Sequence, residues 1–361
     1  MLTPRENVMA ILNGEQPDVY VDIMDAVQIC PDPIFLRDAC PRDGQRHQDS
    51  WGVWKHFPVD QPGETPLNST PDLQVLHDIL DWRDEVVIPP LDDLDWSLAE
   101  GFAKNVDRNK NFVCYFSPAG LFERMHFLMG MENGLCAYLE EPEEVYALLS
   151  KIKDHKIESI RLAKKHLDPD VIFYQDDWGS AQNLFLPPET WREIIKPLQK
   201  EISDAIHECG MLYIHHADCY CAPITRDMVE IGVDVWQGVI PENPIEQIQK
   251  DTRENCDHQL VMQGGINSSR IDVPGLDEET VRASVREDVD RVLPGGYFFI
   301  GCTAGNIFYE PNNSWMHDEL HRYGRQWAVD HATGPAASDD FDMDAYLGYF
   351  GKKATIPTDN A

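Results

Sequence analysis

The side chains best suited to chemistry follow a short apolar run at residues 211–214. Imidazole, carboxylate and thiol groups stand close together there: His215, His216, Asp218, Cys219 and Cys221. Zinc and similar cations prefer these ligand types, and a buried strand that ends in them would hold them rigidly in a cleft. The run is therefore consistent with a metal site. It is equally consistent with buried histidines and thiols that only pack in a core.

The composition limits the classes of function. The chain has 361 residues, 42% of them apolar, which is enough for one large barrel domain or two smaller domains. Its 63 acidic and 30 basic residues give a net charge of −33, which argues against nucleic acid or an anionic membrane as a partner. The amino terminus lacks the apolar core of a signal peptide, and the nine cysteines follow no framework pattern, so we expect a cytoplasmic protein with reduced thiols.

The amino-terminal third is predicted to be irregular after its first helix. Thr3 as N-cap, Pro4 at the first helical position and Glu6 at the third predict a helix start. A strand is predicted at residues 19–24. The stretch 25–111, rich in Pro, Asp and Trp, does not resemble repeated strand–helix units.

From residue 112 onward, apolar runs alternate with amphipathic stretches. Strands are predicted at residues 112–116, 171–174, 211–214, 233–236, 260–262 and 297–300, and helices at 119–129, from 142 onward, at 188–208 and ending at 228–231. This alternation is typical of parallel α/β units, in a closed barrel or an open sheet. The chain contains no Gly-x-Gly-x-x-Gly or P-loop sequence, which makes a nucleotide-binding open sheet the less favoured interpretation.

In a barrel, the loops after the strands meet on one face, which would bring a set of polar residues together. The set comprises Asp176, Asp177, His216, Asp218, Asn267 and Cys302. A histidine, a thiolate and one or two carboxylates can supply three metal ligands and leave a fourth position for substrate. Alternatively, the two aspartates at 176–177 cap a helix and the thiol at 302 is a small buried side chain.

Several motifs together carry a resemblance that extends to about residue 327. They are Thr-Pro-Arg-Glu-Asn at 3–7 with Leu-Asn-Gly-Glu at 12–15, Gly-Met-Glu-Asn-Gly at 130–134 with Glu-Pro-Glu at 141–143, Asp-Asp-Trp-Gly at 176–179 with Pro-Glu-Thr-Trp at 188–191, and the stretch 216–234. In these the chain resembles the uroporphyrinogen decarboxylase superfamily. Within it, the chain is similar to the cobalamin-dependent branch that includes methylcobalamin:coenzyme M methyltransferases.

The resemblance implies a TIM (β/α)8 barrel with an irregular amino-terminal extension. It implies one domain over 1–330, with a helix and irregular cover at 1–111 and regular units at 112–330, followed by a linker and tail at 331–361. It also implies zinc. The branch's His-x-Cys and distant Cys correspond to His216, Asp218 and Cys302, so a carboxylate replaces one thiolate. A carboxylate donates less electron density than a thiolate and leaves zinc more electrophilic.

We therefore predict a zinc-dependent methyltransferase, the demethylase component of a corrinoid-dependent system. Zinc would polarise the O, N or S atom of a small methylated substrate, with an O-methyl group the main expectation and an aromatic substrate one option, while a corrinoid accepts the methyl group. Asp177, Asp176 and His215 are the predicted catalytic residues; Asp177 could also be a ligand, and Cys219 could substitute for one. No Asp-x-His-x-x-Gly sequence is present, so the corrinoid (cobalamin) would be supplied by a partner corrinoid protein.

Six further side chains could form a substrate pocket, and core packing explains each of them as well. The predicted substrate-binding residues are Trp51, Trp54, His126, Trp178, Phe185 and Asn267. Two other functions stay open: a cofactor-free decarboxylase of a polycarboxylate, and a non-catalytic barrel. The decarboxylase is less favoured because the chain lacks the superfamily namesake's amino-terminal Arg-Gln-Ala-Gly-Arg segment. The oligomeric state is left open.

Overall fold

Seven parallel strands, paired in the order in which they follow along the chain, form the centre of the fold. The computed structural model describes residues 1–59, 63–302, 309–332 and 341–350. The parallel strands are β1 (Val27–Ile29), β5 (Phe112–Ser117), β6 (Val171–Gln175), β7 (Leu212–His216), β8 (Val235–Val239), β9 (Val261–Gly265) and β10 (Phe298–Gly301). A separate antiparallel sheet contains β2 (Arg46–Gln48), β3 (Trp54–His56) and β4 (Thr65–Pro66).

Helices connect the successive strands of the parallel sheet and cover its outer face. They are α1 (Pro4–Leu12), α2 (Pro33–Asp38), α3 (Trp82–Glu85), α4 (Ser97–Asn105), α5 (Leu121–Met129), α6 (Met131–Glu140), α7 (Pro142–Leu167), α8 (Pro188–Glu208), α9 (Thr225–Ile231), α10 (Ile245–Asn255), α11 (Ser268–Ile271), α12 (Glu278–Val292), α13 (Asn312–Asp330) and α14 (Met343–Phe350). The predicted fold is confirmed as a TIM-like α/β barrel, with seven parallel strands among the described residues where such barrels have eight.

The sheet curls so that its two ends approach each other. Asp22, just before β1, accepts a hydrogen bond at Oδ2 from Nε2 of Gln263 in β9 at 2.8 Å. Its carboxylate also lies so close to Gly301 of β10 that a side chain on that glycine would collide with it. The segment before the first strand therefore adjoins the last two strands.

Side chains alternate between the barrel interior and the surrounding helices. One buried cluster joins the inward side chains with the segment before β1: Val19, Val21, Val27, Cys114, Val171, Ile214, Val235, Val261 and Phe299. Their neighbours along the strands pack beneath the helices: Val113, Tyr115, Ile172, Tyr213, Trp236, Met262 and Phe298. This two-residue period is that of extended strands. It places consecutive residues of each strand on opposite faces of the sheet.

The amino-terminal helix is confirmed, whereas the strand predicted at residues 19–24 is wrong. Thr3 and Glu6 form the predicted capping box of α1, with Pro4 at its first position. At 19–24 no strand forms. Instead the carboxylate of Asp22 accepts a hydrogen bond from the Met24 amide at 2.9 Å and caps a 3-10 turn over Ile23–Asp25. The local cap ends the apolar run before it can join the sheet, and the first parallel strand begins at Val27.

The predicted irregular cover contains short elements that pack on the barrel. Between β1 and β5 lie the antiparallel sheet and helices α2 to α4, and Trp51, Trp82 and Trp96 are buried in the main core. The carboxyl-terminal helix α14 also packs back, since Tyr346 is buried and its hydroxyl accepts a hydrogen bond from Asn7 of α1 at 3.4 Å. Residues 333–340 of the predicted linker lie outside the described residues. No helix in the described ranges is long and apolar enough to cross a membrane.

A carboxylate from the end of one strand holds the first turn of the neighbouring helix. Asp176, directly after β6, accepts hydrogen bonds from the amides of Phe122 at 3.1 Å and Glu123 at 2.8 Å in α5. Because the carboxylate lies against the backbone, the helix can begin only after a residue without a side chain. Gly120 fills that position, and a Cβ there would collide with the side chain of Asp176.

We predict that Gly120→Ala lowers the free energy of unfolding by about 1–3 kcal/mol, because the added methyl group overpacks this contact. Gly101→Ala is the matched control, since Gly101 is exposed within α4 and a Cβ there meets nothing within 4 Å. It should raise the free energy of unfolding by about 0.5–1 kcal/mol. Urea denaturation of both variants measures the difference. Equal stabilities would contradict the role assigned to Gly120.

Candidate metal centre

Two carboxylates and one imidazole meet at the carboxyl ends of β6 and β7. One ligand atom from each of Asp177, His216 and Asp218 lies within 4.8 Å of the others. The Asp218 amide donates a hydrogen bond to Oδ1 of Asp177 at 3.0 Å, which ties the two loops together. This is the edge at which catalytic groups of TIM barrels are found. The structure therefore brings together two of the predicted ligands, His216 and Asp218, with the predicted catalytic residue Asp177.

The imidazole of His216 points into the barrel and is oriented by the next strand. Its Nδ1 hydrogen-bonds to Oε1 of Gln237, a buried residue of β8, and its ring meets the edge of Phe173 with centroids 5.6 Å apart. An amide oxygen can only accept, so Nδ1 carries the proton and the lone pair stays on Nε2. Metal-bound histidines are held in the same way by a second hydrogen bond.

The electrostatics of the cluster favour a cation. Burial raises the pKa of Asp177 to about 6; the nearby imidazole of His216 opposes this shift and the Asp218 carboxylate adds to it. Burial also raises the pKa of Asp218. Within the described residues, no lysine or arginine forms an ion pair with either carboxylate. A divalent cation would relieve their mutual repulsion, and one nitrogen with two oxygens is a ligand set that zinc accepts.

The thiol of Cys302 lies outside this cluster. It is buried, and its Sγ contacts the sulfur of Met316 at 3.9 Å, while burial raises its pKa to about 12. Cys219 and Cys221 are also buried, with their sulfurs 3.4 Å apart. The ligand role of Cys302 thus stays a prediction from the resemblance, whereas the geometry puts Asp177 in the third ligand position.

The side chains of Asp176 and His215 lie on the outer face of the sheet, which is opposite to the face that carries the cluster. Both carboxylate oxygens of Asp176 accept hydrogen bonds from backbone amides in the first turn of α5. One of them also accepts a hydrogen bond from the Trp178 indole N–H at 2.9 Å. His215 is fully buried and hydrogen-bonds through Nδ1 to the Tyr213 hydroxyl at 2.7 Å and through Nε2 to the Asp176 carbonyl oxygen at 3.2 Å. Burial lowers its pKa to about 3. These contacts position the loop, and a catalytic role for either residue stays a prediction.

A cavity of about 450 Å³ is lined in part by the loop between β5 and α5, and Asp177, His216 and Asp218 are not among its lining residues. Aromatic side chains form much of its wall: Phe35, Trp51, Phe57, Tyr115, Phe116 and Phe127. Two residues of the cavity wall lie close to the candidate metal ligands. Gln175 pairs in register with His216, and the pKa of Glu123 is raised well above its usual range by burial and then by the charge of Asp177. The cavity has the size of a small-molecule site.

Among the six predicted substrate-binding residues, only Trp51 lines this cavity. Trp54 lies on β3 next to Lys55, which does line it, so strand alternation turns the Trp54 side chain to the other face. Trp178 stacks on His215 with centroids 4.0 Å apart, and Phe185 stacks on Phe122 at 5.6 Å. His126 packs against Phe127, and the Asn267 amide donates to Asp288 at 2.9 Å.

The sequence reasoning missed the ionisable residues of the cavity wall, among them Glu123, Arg124, His155 and Lys156. These four lie within the helices α5 and α7. No motif or ligand spacing distinguishes them from ordinary helical residues. The only available signal was a cluster of ionisable groups on helix faces that otherwise carry apolar side chains.

The parallel barrel with polar groups at its carboxyl edge defines an α/β-barrel protein with a candidate metal centre. The uroporphyrinogen decarboxylase (URO-D) family matches residues 114–305, more than half of the chain, and the protein belongs to this family. A methyltransferase from Methanosarcina mazei has a similar fold, with a TM-score of 0.60 and 15% sequence identity over 91% of this chain and 99% of that one. No match is found among curated proteins. The predicted resemblance to the uroporphyrinogen decarboxylase superfamily is confirmed.

We predict that Asp177→Asn weakens zinc binding at least about tenfold, since loss of even an outer-shell partner has an effect of that order. Cys302→Ala should leave the zinc dissociation constant within about twofold. Competition with a chromogenic chelator measures both, and Asp257→Asn, at an exposed position, is the control. Zinc lost from Cys302→Ala but retained by Asp177→Asn would instead establish the ligand set His216, Asp218 and Cys302.

Proposed function

We propose that this protein is a zinc-dependent methyltransferase that moves a methyl group from a small O-methylated substrate to a corrinoid carried by a partner protein. The observation that carries the proposal is the cluster of Asp177, His216 and Asp218, together with a cavity of about 450 Å³ whose wall includes Gln175, the register partner of His216. The URO-D family membership and the methyltransferase-like fold support it.

The ligand set fits the activation of a poor leaving group. A divalent cation held by Asp177, His216 and Asp218 would act as a Lewis acid on the atom that carries the methyl group. Two carboxylates donate less charge than two thiolates, which leaves such a cation more electrophilic. Gln237 would keep the imidazole in the tautomer that ligation requires. The chain thus supplies orientation and a strongly polarising site.

Glu123 is placed to supply a proton. It is buried in the cavity wall, and burial, followed by the charges of Asp177 and Asp176, raises its pKa well above the usual range, which favours the protonated form. Its Oε1 accepts a hydrogen bond from Gln175 at 3.4 Å, while Oε2 has no partner within the described residues. A proton on Oε2 can therefore be donated to the oxygen that loses the methyl group.

The methyl acceptor would come from outside the chain. The sequence has no Asp-x-His-x-x-Gly stretch of the kind that ligates cobalt in corrinoid-binding domains. The cavity is suited in volume to a small substrate. A corrinoid would accordingly approach on a partner protein that docks at the carboxyl edge of the barrel.

The proposal predicts methylation of cob(I)alamin by a methoxybenzene-type donor in the presence of zinc. The absorbance change of the corrinoid measures the rate, and His216→Ala should lower it at least about a hundredfold because a ligand is lost. Asp257→Asn is again the control. Turnover without corrinoid, or a rate unchanged by zinc removal, would overturn the proposal. Release of CO2 from a carboxylated porphyrinogen would favour the decarboxylase alternative.

Glu123→Gln should lower kcat by about 10²–10⁴-fold, the usual contribution of general acid catalysis, with a smaller effect on KM. The deficit should shrink with a nitrophenyl methyl ether, whose leaving oxygen needs no proton. Glu132→Gln, at an exposed position of α6, is the matched control. A deficit that is equal for both donors would show that Glu123 has a structural role instead.

A further inference from the structure

Besides Lys55, the cavity wall contains four acidic or basic side chains that are more than nine-tenths buried. Glu123 and Arg124 come from α5, and His155 and Lys156 come from α7. Their exposed fractions are 5%, 4%, 8% and 6%. Several of their polar atoms have no hydrogen-bond partner in the described part of the chain: Glu123 Oε2, Arg124 Nε and both ring nitrogens of His155. Buried polar atoms of this kind usually have a partner, so the pattern points to a ligand.

The two lysines of the cavity differ in their partners. Lys55 is fully engaged, because its Nζ contacts the Asp38 carbonyl oxygen at 3.0 Å, Glu64 at 2.7 Å and Asp49 at 3.5 Å. Lys156 contacts only neutral groups, namely the Ser117 hydroxyl at 3.2 Å, the Pro118 carbonyl oxygen at 2.6 Å and the Tyr174 ring, whose centroid is 5.5 Å from Nζ. Its third ammonium proton has no acceptor among the described residues, and no described carboxylate forms an ion pair with it.

Arg124 adds a second positive charge near Lys156. Its Nη1 reaches Asp49 at 3.3 Å, and its guanidinium lies 4.5 Å from the ring centroid of Trp51. Burial, and then the charge of Arg124, lower the pKa of Lys156 to about 7. The charges of Asp176 and Asp38 oppose this shift only in part. A buried ammonium that contacts no carboxylate and lies near a guanidinium is unfavourable. An anionic ligand group would remove this penalty.

The unpartnered atoms form a surplus of donors. Arg124 Nε, the remaining ammonium proton of Lys156 and one nitrogen of neutral His155 can each donate to a ligand. Burial and the charge of Lys156 lower the pKa of His155 to about 3, so its ring is neutral. The wall also contains the carboxylates of Asp38 and Glu64, and of these Glu64 is paired with Lys55. Six aromatic side chains of the wall suit a planar ring.

We propose that this cavity binds an aromatic ring that carries a carboxylate, with the carboxylate held by Lys156 and Arg124. The inference deepens the proposed function and rests on it for the identity of the ligand as the methyl donor, which would be a methoxylated aromatic acid. The ring lies among Trp51, Phe116 and Phe127, and the methoxy group points toward the end of the cavity formed by Glu123 and Gln175. Lys156 and Arg124 are therefore the residues that determine specificity.

Equilibrium binding of three probes to the zinc-loaded protein tests the inference. The probes are 3-methoxybenzoate, methoxybenzene and 3-methoxybenzylamine, and titration calorimetry gives their dissociation constants. The benzoate should bind at least about tenfold more tightly than the neutral ether, since a charged hydrogen bond contributes that much, and the amine should bind most weakly. Equal affinities for the benzoate and the neutral ether would overturn the inference.

Variants of Lys156 identify the group responsible. Lys156→Met should weaken benzoate binding at least about tenfold and leave methoxybenzene binding within about twofold, while Lys156→Arg should retain the preference. Lys151→Met, at an exposed position of the same helix, is the matched control. A benzoate preference that survives in folded Lys156→Met would overturn the assignment. If Lys156→Met fails to fold, the order of affinities of the three probes for wild type and for Lys156→Arg tests the inference instead.

The binding experiment uses no corrinoid and measures no methyl transfer. Its result and that of the cob(I)alamin assay therefore test the ligand class and the proposed activity separately. Tight, Lys156-dependent binding of the benzoate without methylation of cob(I)alamin would retain the ligand class and remove the proposed activity. Methyl transfer from methoxybenzene as fast as from 3-methoxybenzoate would retain the activity and remove the ligand class.

Discussion

The alternation of side chains along β7 is the constraint on which the candidate site depends. Ile214 faces the barrel interior, so His216 two residues later also faces inward, while Tyr213 and His215 face the helices. Two adjacent histidines therefore enter different environments. One meets Asp177 and Asp218 at the open edge, and the other is enclosed between Tyr213 and Trp178. A one-residue change of register would exchange the two rings and remove the imidazole from the cluster.

The same alternation separates the two aspartates after β6. Asp176 is enclosed and holds the start of α5, whereas Asp177 reaches the metal cluster. Because α5 also carries Glu123 and Arg124, the carboxylate of Asp176 fixes the cavity wall relative to the metal ligands. The outer network through His215 and Tyr213 continues to Gln199 of α8, whose Nε2 donates to the Tyr213 hydroxyl at 2.6 Å. The candidate metal ligands, Glu123 and the cavity wall are thus connected through one hydrogen-bond network.

Local signals and strand ends could be read from the sequence, whereas three-dimensional proximity could not. The capping box of α1 and the bounds of α8 at Pro188–Glu208 were predictable because caps, prolines and helical spacing are local. The convergence of Asp177, His216 and Asp218 followed from the geometry of parallel strands. The position of Cys302 away from them depends on its packing against Met316. Arg124 and Lys156 meet only because α5 and α7 pack together, which no spacing in the sequence encodes.

The identity of the atoms that bind the metal tests this account most directly. Zinc K-edge X-ray absorption on the zinc-loaded protein distinguishes sulfur at about 2.3 Å from nitrogen and oxygen at about 2.0–2.1 Å. The cluster of Asp177, His216 and Asp218 predicts a shell of nitrogen and oxygen without sulfur. A sulfur scatterer at about 2.3 Å would contradict this account, because it would place a cysteine thiolate on the metal.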